Sequence, residues 1–390
     1  MSAQHSGQEK QRSTPLQSHE AGDVLYSFNV RIVQSGILFG DLFKRLKDRE
    51  NARTRVLGPS TSDQRNRQNT MSELYAGVDL GGTSIKCALA GADGEIVCQR
   101  SIPTESHAGP NSVLMRIAEL VNEMQAEVGQ SISAVGMGVP GLVDVERGVT
   151  RFLPNLTTHW ENVPAGDILS AAIGCPVKLL NDVRTATLGE LAFGRGREVD
   201  TMVFIAIGTG IGGGVVIDGK LRLGALGAAG ELGHQTIDPN GPLCGCGNHG
   251  CLETLASGTA LAAEGIRLML MGLAPTLHDL VDGDPARVTA ELMSQAALSD
   301  PPVLDAIYGA ADDIGTGVAN VMVTLHPELV ILGGGVANIG DVLFDRVRAQ
   351  VIRRVRMISP DTVRIEPSDL GSRAGVLGAI ALASRGLGTG

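Results

Sequence analysis

The sequence predicts a mixed α/β protein built from two copies of one plan, with a ligand cleft between the copies. Three observations support this prediction. A meander of three short strands, followed by alternating helices and strands, begins at Leu74. The same order restarts at Thr201. Glycine clusters follow strands in both copies, where backbone N–H groups can face a ligand.

The first copy opens with the strands YAGVDL, SIKCALAG and EIVCQRSI, separated by GGT and by Asp93-Gly94. Asp-Gly between apolar runs is a hairpin signal, so we expect an antiparallel meander. Apolar residues at helical spacing predict a helix over 113–128. The strand AVGMGV, a helix over 165–173, the strand VKLLND and a helix over 184–193 follow.

The second copy repeats the meander with TMVFIAIG, GGGVVIDG and KLRLG. A cysteine-rich stretch is then inserted before a helix that begins near Gly258. The remaining predicted elements are helices over 287–297 and 302–325, the strand LVILGG, a helix over 341–357, the strand TVRIEP and a closing helix over 373–385.

Composition places the chain among globular proteins. It has 390 residues, 43% apolar content and a formal net charge of −10, which is enough chain for two domains. The acidic balance disfavours nucleic acid as a partner, and neither a membrane span nor a secretory signal is predicted. Cys87, Cys98 and Cys175 are scattered and suggest no disulfide framework, so we expect a reducing cytoplasm.

The first 70 residues differ from the rest of the chain. They are rich in Gln, Ser, Arg and Asn, and only Val24 to Leu46 has enough apolar residues for one short helix. A DNA-binding winged helix would need two or three helices here. We therefore expect a disordered or non-native extension, with the folded pattern starting at Met71.

The stretch GELGHQTIDPNGPLCGCGNHGCLE predicts a structural zinc site. His234, Cys244, Cys246 and Cys251 form a Cys₃His set, which closes a tetrahedron around zinc and leaves no position for water. The alternative is a set of unconnected small buried residues, which the interspersed glycine turns argue against. Glu231 and Glu253 flank the ligands, so the knuckle would form one wall of a polar pocket.

Three glycine clusters follow strands, at 81–82, 208–214 and 333–335. The first two lie inside hairpins, where backbone N–H groups can close on phosphate oxygens. The second also matches G-x-G-x-x-G, but a strand rather than a helix follows, which excludes a dinucleotide fold. For the third cluster, nucleotide contact and a simple strand-to-helix turn both remain open.

Two aspartates end strands beside these turns. A carboxylate at Asp79 would repel phosphate unless a cation lay between them, which predicts Mg²⁺ there. Asp182 ends VKLLND at the carboxyl edge of the sheet, where it can act as the general base of phosphoryl transfer. Capping of the following helix by Asp182 is the alternative.

These motifs together resemble the ROK family of repressors and sugar kinases, within the actin-like, hexokinase-type ATPases. DLGGTSIK, GVPGLVD, NDVRTATLGE, GTGIGGG, AAGELGH, CGCGNHGCLE and LGGGVA occur in the family's order from about Leu74 to the end. The resemblance implies two actin-like (ribonuclease H-like) domains with a central cleft and an inserted zinc knuckle. The first would span 71–190, with the closing helix of 373–390 packed back on it, and the second 191–372, including the zinc site.

The resemblance also assigns roles to individual residues. It implies structural zinc on His234, Cys244, Cys246 and Cys251, and a catalytic base at Asp182. It implies sugar contacts from Asn155, Asn181, Asp182, Glu231, His234 and Glu253. It implies nucleotide contacts from Asp79, Gly81, Gly82, Thr83, Lys86, Gly208, Thr209, Gly210 and Gly334.

One departure from the family pattern follows the catalytic position, where Val183 replaces the usual Ala and is followed by Arg184. Val183 is harmless if it points into the sheet. An Arg184 that reached the pocket would lower the pKa of Asp182 or contact a phosphate.

The function that the resemblance implies is ATP-dependent phosphorylation of a hexose, with glucose at O6 as the first choice. ATP, Mg²⁺ and structural Zn²⁺ would be required, and the protein would form homodimers or homotetramers. Alternatives are a kinase for N-acetylmannosamine, N-acetylglucosamine or fructose, polyphosphate as donor, or a sugar-responsive transcriptional repressor. A zinc-ribbon interaction module is a further alternative, but it leaves the glycine hairpins unexplained.

Overall fold

The computed structural model describes residues 73–388, except 154, 155, 157 and 159. The predictions for residues 1–70 and for Asn155 lie outside the described residues.

Two five-stranded mixed sheets with the same strand order form the framework. In each sheet the first three strands are an antiparallel meander, and the fourth and fifth strands are added parallel to the first. The first sheet, in spatial order, is β3 (Ile96–Pro103), β2 (Ser84–Gly91), β1 (Leu74–Leu80), β4 (Ile132–Val139) and β7 (Val177–Asn181). The second is β10 (Lys220–Arg222), β9 (Ile211–Ile217), β8 (Met202–Ile207), β11 (Leu329–Gly333) and β12 (Arg364–Pro367).

Helices connect the parallel strands, as crossover connections require. Around the first sheet they are α1 (Pro110–Val128), α2 (Ala165–Ile173) and α3 (Asp182–Phe193). In the second half they are α4 (Leu252–Ala256), α5 (Gly258–Leu270), α6 (Pro275–Leu280), α7 (Ala290–Ala296), α8 (Pro301–Leu325), α9 (Asp341–Arg354) and α10 (Ala374–Arg385). Among the described residues, no helix combines the length and apolarity that a membrane span needs.

The mixed α/β class and the predicted order of long strands and helices are confirmed. The sequence did not predict the hairpin of β5 (Leu142–Asp144) and β6 (Val149–Phe152), nor the short helices α4 and α6. These elements are three to six residues long, which is too short for a helical or strand period to emerge. The helix predicted over 341–357 ends earlier, at Arg354.

Apolar side chains form a cluster beside each sheet, and a third cluster joins the two. The third contains Leu180, Leu188 and Leu191 from β7 and α3, Phe204 and Ile331 from the second sheet, and Ala381 and Leu382 from α10. Helix α10 also lies so close to β4 that a Cβ on Gly136 would be 2.0 Å from the Ala379 carbonyl oxygen. The last helix of the chain therefore packs on the first sheet.

Candidate active site

A cavity of about 380 Å³ lies at the carboxyl ends of β1, β4, β7 and β8. This is the edge where α/β proteins bind ligands, because the connections leaving the parallel strands diverge there. Its walls combine glycine turns with a small group of polar side chains. The lining residues predicted from the sequence are Gly81, Gly82, Asn181, Asp182, Gly208, Thr209, Gly210, Glu231, His234 and Glu253.

Asp182 occupies the junction between β7 and α3. Its Oδ1 accepts hydrogen bonds from the backbone N–H of Val183 at 2.8 Å and from Nδ2 of Asn181 at 2.9 Å. Burial, helped by the nearby charge of Asp79, raises the pKa of Asp182 to about 6 against the opposing effects of the Val183 N–H bond and Arg184. A carboxylate with a pKa near neutrality is suited to accept a proton.

The residue that caps α3 is Asn181. Its Oδ1 accepts from the backbone N–H groups of Val183 and Arg184, and Asp182 is the first residue of the helix. Capping by Asp182, the alternative considered from sequence, is therefore wrong. Since the Nδ2 of Asn181 also donates to Asp182 and to the Gly141 carbonyl at 3.2 Å, Asn181 fixes the orientation of the Asp182 carboxylate.

The first glycine turn joins β1 to β2. The Gly81 N–H donates to the Ser84 carbonyl at 2.9 Å, and the hydroxyl of the buried Thr104 donates to the Gly81 carbonyl at 2.7 Å. The carbonyl groups of Ser84 and Gly81 therefore accept hydrogen bonds from within the protein. Gly82 is exposed at the cavity.

The second glycine turn joins β8 to β9 and is held by the residues around α4 and α5. Oε2 of Glu253 accepts from the Ile211 N–H at 2.8 Å, and the Gly258 N–H donates to the Gly208 carbonyl at 2.8 Å. A Cβ on Gly210 would lie only 2.2 Å from Oε2 of Glu253, so a side chain here would displace the Glu253 carboxylate. Glu253, expected to bind sugar, thus also braces this turn.

Val183 points toward β9. A Cβ on Gly212 would lie 2.6 Å from a methyl group of Val183, so the glycine run in β9 makes room for α3. Val183 therefore packs against the second sheet, and it also lines the cavity.

Four predicted nucleotide residues are not among the lining residues of the two cavities described here, namely Asp79, Thr83, Lys86 and Gly334. Asp79 lies behind the first turn, where burial raises its pKa and the neighbouring Lys86 opposes the shift. Gly334 has a φ of +84°, and a Cβ there would be 2.4 Å from the Ile207 carbonyl oxygen. The glycine is required for this turn whether or not nucleotide contacts it.

The four predicted metal ligands converge. Their donor atoms all lie within 4.8 Å of one another. The Sγ atoms of Cys246 and Cys251 are 3.7 Å apart, and Sγ of Cys244 is 3.6 Å from Nδ1 of His234. Tetrahedral zinc with ordinary bond lengths would give about 3.8 Å between two sulfurs and about 3.6 Å between sulfur and nitrogen. The donor set therefore fits Zn²⁺ in chemistry and spacing.

This cluster places Glu231 and His234 at the cavity. Oε2 of Glu231 is 4.0 Å from Nε2 of His234, the ring nitrogen opposite the one that faces the cysteines. Arg184 reaches the same place, since its Nη2 is 2.8 Å from Oε1 of Glu231. Arg184 stands out in the sequence, but its pairing with Glu231 does not, because residues 47 positions apart give no local signal.

A second cavity of about 770 Å³ adjoins the first, and Gly208 and Thr209 line both. Its other walls come from α5, α7 and the turn after β11. Polar residues there that the sequence did not suggest are Thr259, Thr289, Glu291, Ser294, Gln295 and Asn338. Besides Gly208 and Thr209, the sequence pointed to this cavity through the glycines at 333–335, of which Gly335 is in the lining.

Two mixed sheets with glycine turns and a carboxylate at their carboxyl ends define an α/β protein with a two-part ligand cleft. The family to which the chain belongs is the ROK family, whose model matches residues 75–386. The chain is 38% identical to a glucokinase of Thermotoga maritima over 316 residues, which cover 80% of this chain and 98% of the relative.

Two further relatives show the range of the match. A ROK family glucokinase from Streptomyces griseus, solved in complex with glucose and AMPPNP, superposes with a TM-score of 0.70 at 33% identity, over 80% of this chain and 100% of that one. A xylose repressor of Caldicellulosiruptor bescii is 33% identical over 78% of this chain and 77% of its own length.

Proposed function

We propose that this protein is an ATP-dependent hexose kinase that transfers the γ-phosphoryl group of ATP to O6 of glucose. The observation that carries the proposal is the position of Asp182, which lines one cavity together with the two glycine turns, Glu231 and His234. The similarity to glucokinases supports glucose as the acceptor and ATP as the donor.

In this mechanism Asp182 accepts the O6 proton as the hydroxyl oxygen attacks the γ-phosphorus in line. Asn181 holds the carboxylate through its 2.9 Å hydrogen bond. Asn155, Asn181, Glu231, His234 and Glu253 bind the sugar hydroxyls. A buried donor or acceptor left unpaired costs about 1–3 kcal/mol, so these groups select the hydroxyl pattern.

The nucleotide lies across the two glycine turns. Gly81, Gly82, Thr83, Gly208, Thr209 and Gly210 face its phosphates, with Lys86 and Gly334 nearby, and the 770 Å³ cavity takes the nucleoside. Mg²⁺ at Asp79 would supply positive charge for the phosphoryl oxygens. Asp79 offers the carboxylate oxygens that Mg²⁺ prefers, and the ion would be held largely through waters.

His234, Cys244, Cys246 and Cys251 would hold a structural Zn²⁺, which would keep the sugar wall in place. The 3.6–3.7 Å separations between donor atoms support this assignment. Zinc bound to Nδ1 of His234 would fix the ring and leave Nε2 to a sugar hydroxyl.

The two sheets belong to two actin-like domains, 71–190 and 191–372, with residues 373–390 returning to the first. Closure of the domains over the sugar excludes water, which competes with the sugar as a nucleophile. The protein acts in the cytoplasm as a homodimer or homotetramer.

Asp182→Asn tests the assignment of the base. We expect kcat to fall by about 10²–10⁴-fold, since general base catalysis contributes that much. Glucose binding, measured by calorimetry, should stay within about threefold because the amide keeps the shape of the side chain. Asp345→Asn, at an exposed ion pair on α9, is the matched control. Near-normal turnover in Asp182→Asn would refute the role of Asp182.

A coupled assay across sugars and donors tests the substrate. Glucose with ATP should give the highest kcat/KM, compared with N-acetylmannosamine, N-acetylglucosamine and fructose, and with polyphosphate as donor. A higher kcat/KM with another sugar would leave the assignment as a kinase in place and would identify that sugar, rather than glucose, as the substrate.

A sugar-responsive repressor is the second candidate, because xylose repressors match most of the chain. Gel-shift experiments with the full chain and with a version starting at Met71 separate the two functions. Specific DNA binding that is lost with residues 1–70 and weakened by sugar would favour the repressor.

A further inference from the structure

We infer that Arg184 is a positioning residue that sets sugar selectivity by holding Glu231 in one orientation. This inference rests on the proposed function, because it concerns the sugar site of the same kinase. It follows from the burial of Arg184, from its two fixed acceptors and from the charges of the cavity.

Arg184 is buried, with 2% of its side chain exposed, although it carries a permanent charge. It lies in the first turn of α3, two residues after Asp182. Its Nε donates to the Ala229 carbonyl at 3.0 Å, and its Nη2 donates to Oε1 of Glu231 at 2.8 Å. Guanidinium is planar, so two acceptors on one loop fix both the arginine and that loop.

Glu231 needs such a partner to present one fixed surface. It lies on the loop after β10, and its side chain is 43% exposed, so without a partner it would sample several rotamers. Arg184 takes Oε1, which leaves Oε2 at the cavity, 4.0 Å from Nε2 of His234. A sugar hydroxyl can then bridge Oε2 and the imidazole.

The charges of the cavity favour the same role. Among its lining residues in the described chain, Asp182, Glu231 and Glu253 are acidic, and Arg184 is the one Lys or Arg. A buried guanidinium without a counter-ion is strongly unfavourable, so Arg184 retains Glu231 when the sugar leaves. Glu231 is therefore preorganised, and a sugar that cannot satisfy its free oxygen is rejected.

The charge of Arg184 opposes the rise in the pKa of Asp182, which is one of the two roles considered from the sequence, and the hydrogen bonds of Arg184 bear on the other, contact with phosphate. The donors Nε and Nη2 are directed at the loop that carries Ala229 and Glu231. Arg184 therefore acts on the sugar wall, and phosphate contact belongs to the glycine turns.

Arg184→Met and Arg184→Lys test the inference in the full-length protein. We expect Arg184→Met to raise the KM for glucose roughly 10–100-fold, as expected for the loss of one charged hydrogen bond, with the KM for ATP within about twofold. The KM for glucose of Arg184→Lys should lie between those of the unmodified protein and Arg184→Met, because lysine keeps the positive charge but lacks the planar guanidinium with its several donors. Arg346→Met, which removes a bidentate pair with Asp312 between α8 and α9, is the control and should leave both KM values unchanged.

A series of deoxyglucoses separates positioning from general damage. In the unmodified protein, the analogue that lacks the hydroxyl bound by Glu231 should lose the most kcat/KM. In Arg184→Met, the loss of kcat/KM caused by removing that hydroxyl should become smaller, while the losses for the other deoxyglucoses should be unchanged. Glu231→Gln should show the same selective loss, and combining it with Arg184→Met should add less than the sum of the two effects.

The outcomes are distinct. An unchanged glucose KM and an unchanged deoxy pattern in Arg184→Met, or fully additive effects in the double variant, would overturn the inference while the kinase assignment stands. If Arg184→Met does not fold, Arg184→Lys and Glu231→Gln decide, and normal deoxy patterns in both overturn it. Absence of kinase activity in the unmodified protein would instead refute the proposed function.

Discussion

Asp182 is largely removed from solvent, and its Oδ1 accepts two hydrogen bonds. The balance between desolvation and hydrogen bonding sets the pKa of the carboxyl group. Burial favours the neutral carboxyl, whereas the N–H of Val183 favours the charged form. Burial prevails and raises the pKa to about 6, so the group changes charge within the range where kinases are assayed. Two measurable consequences follow, one for rate and one for stability.

The rate should depend on the deprotonated fraction of Asp182. At saturating ATP, kcat/KM for glucose should rise about tenfold per pH unit below about 6 and level off above it. Steady-state kinetics between pH 5 and 8 at constant ionic strength measures this. A flat profile down to pH 5 would contradict an elevated pKa at the catalytic base.

The stability effect has the opposite sign from that of an ordinary surface aspartate. Since the folded-state pKa is raised from 3.8 to about 6, the folded protein binds a proton more tightly than the unfolded chain does. The charged group therefore destabilises the fold above pH 6, by roughly 3 kcal/mol for a shift of this size, and not at all well below 3.8.

Asp182→Asn should accordingly be more stable than the unmodified protein at pH 7, and the gain should vanish as the pH falls from 6 toward 4. Urea denaturation at several pH values provides the free energies of unfolding. A variant that is less stable at pH 7 would show that hydrogen bonds to the carboxylate outweigh its desolvation.

The cysteine loop between β10 and α4 illustrates what sequence can and cannot predict about an element. Cys₃His spacing identified all four donors, because short-range turns bring them together. The hydrogen bond from the Ile211 N–H to Glu253 was not predicted, since it links residues 42 positions apart. The order of motifs in the sequence therefore predicts which residues form a site, whereas the hydrogen-bond partners of those residues depend on tertiary packing.

Loss of one zinc ligand should destabilise this loop. Cys246→Ser should reduce bound zinc from about one ion per chain and lower the melting temperature by roughly 5 °C or more, because metal binding contributes to folding. Mass spectrometry of the metal and a thermal melt measure the two effects. Cys98→Ser, which changes a thiol outside the cluster, is the control. Zinc-free unmodified protein of normal stability would exclude a structural metal.

The two sheets meet through α3 and α10, whose backbones come into close contact at two glycines. A Cβ on Gly378 would lie 1.7 Å from the Thr185 carbonyl oxygen, and one on Gly189 would lie 2.4 Å from the Ala374 carbonyl oxygen. The repeated strand order was predictable from hydrophobic patterns. This helix contact was not, because glycine within a helix gives no signal of its partner.

Gly378→Ala should therefore separate α3 from α10. We expect a loss of about 3 kcal/mol in the free energy of unfolding, at the upper end of overpacking costs, since backbone atoms cannot rotate away. Gly309→Ala on α8 is the matched control, because nothing lies within 4 Å of its added Cβ, and it should be neutral or slightly stabilising. Equal stability of the two variants in urea titrations would show that the helices can shift apart freely.

The bond between Glu253 and the Ile211 N–H ties the end of the cysteine loop to the glycine turn for which we propose phosphate contact. If sugar binds at the loop and phosphate at the turn, as we propose, a ligand that tightens one of them alters the other, and we expect the affinities for the two substrates to be thermodynamically linked. Reciprocity then requires that sugar improve nucleotide binding by the same factor by which nucleotide improves sugar binding.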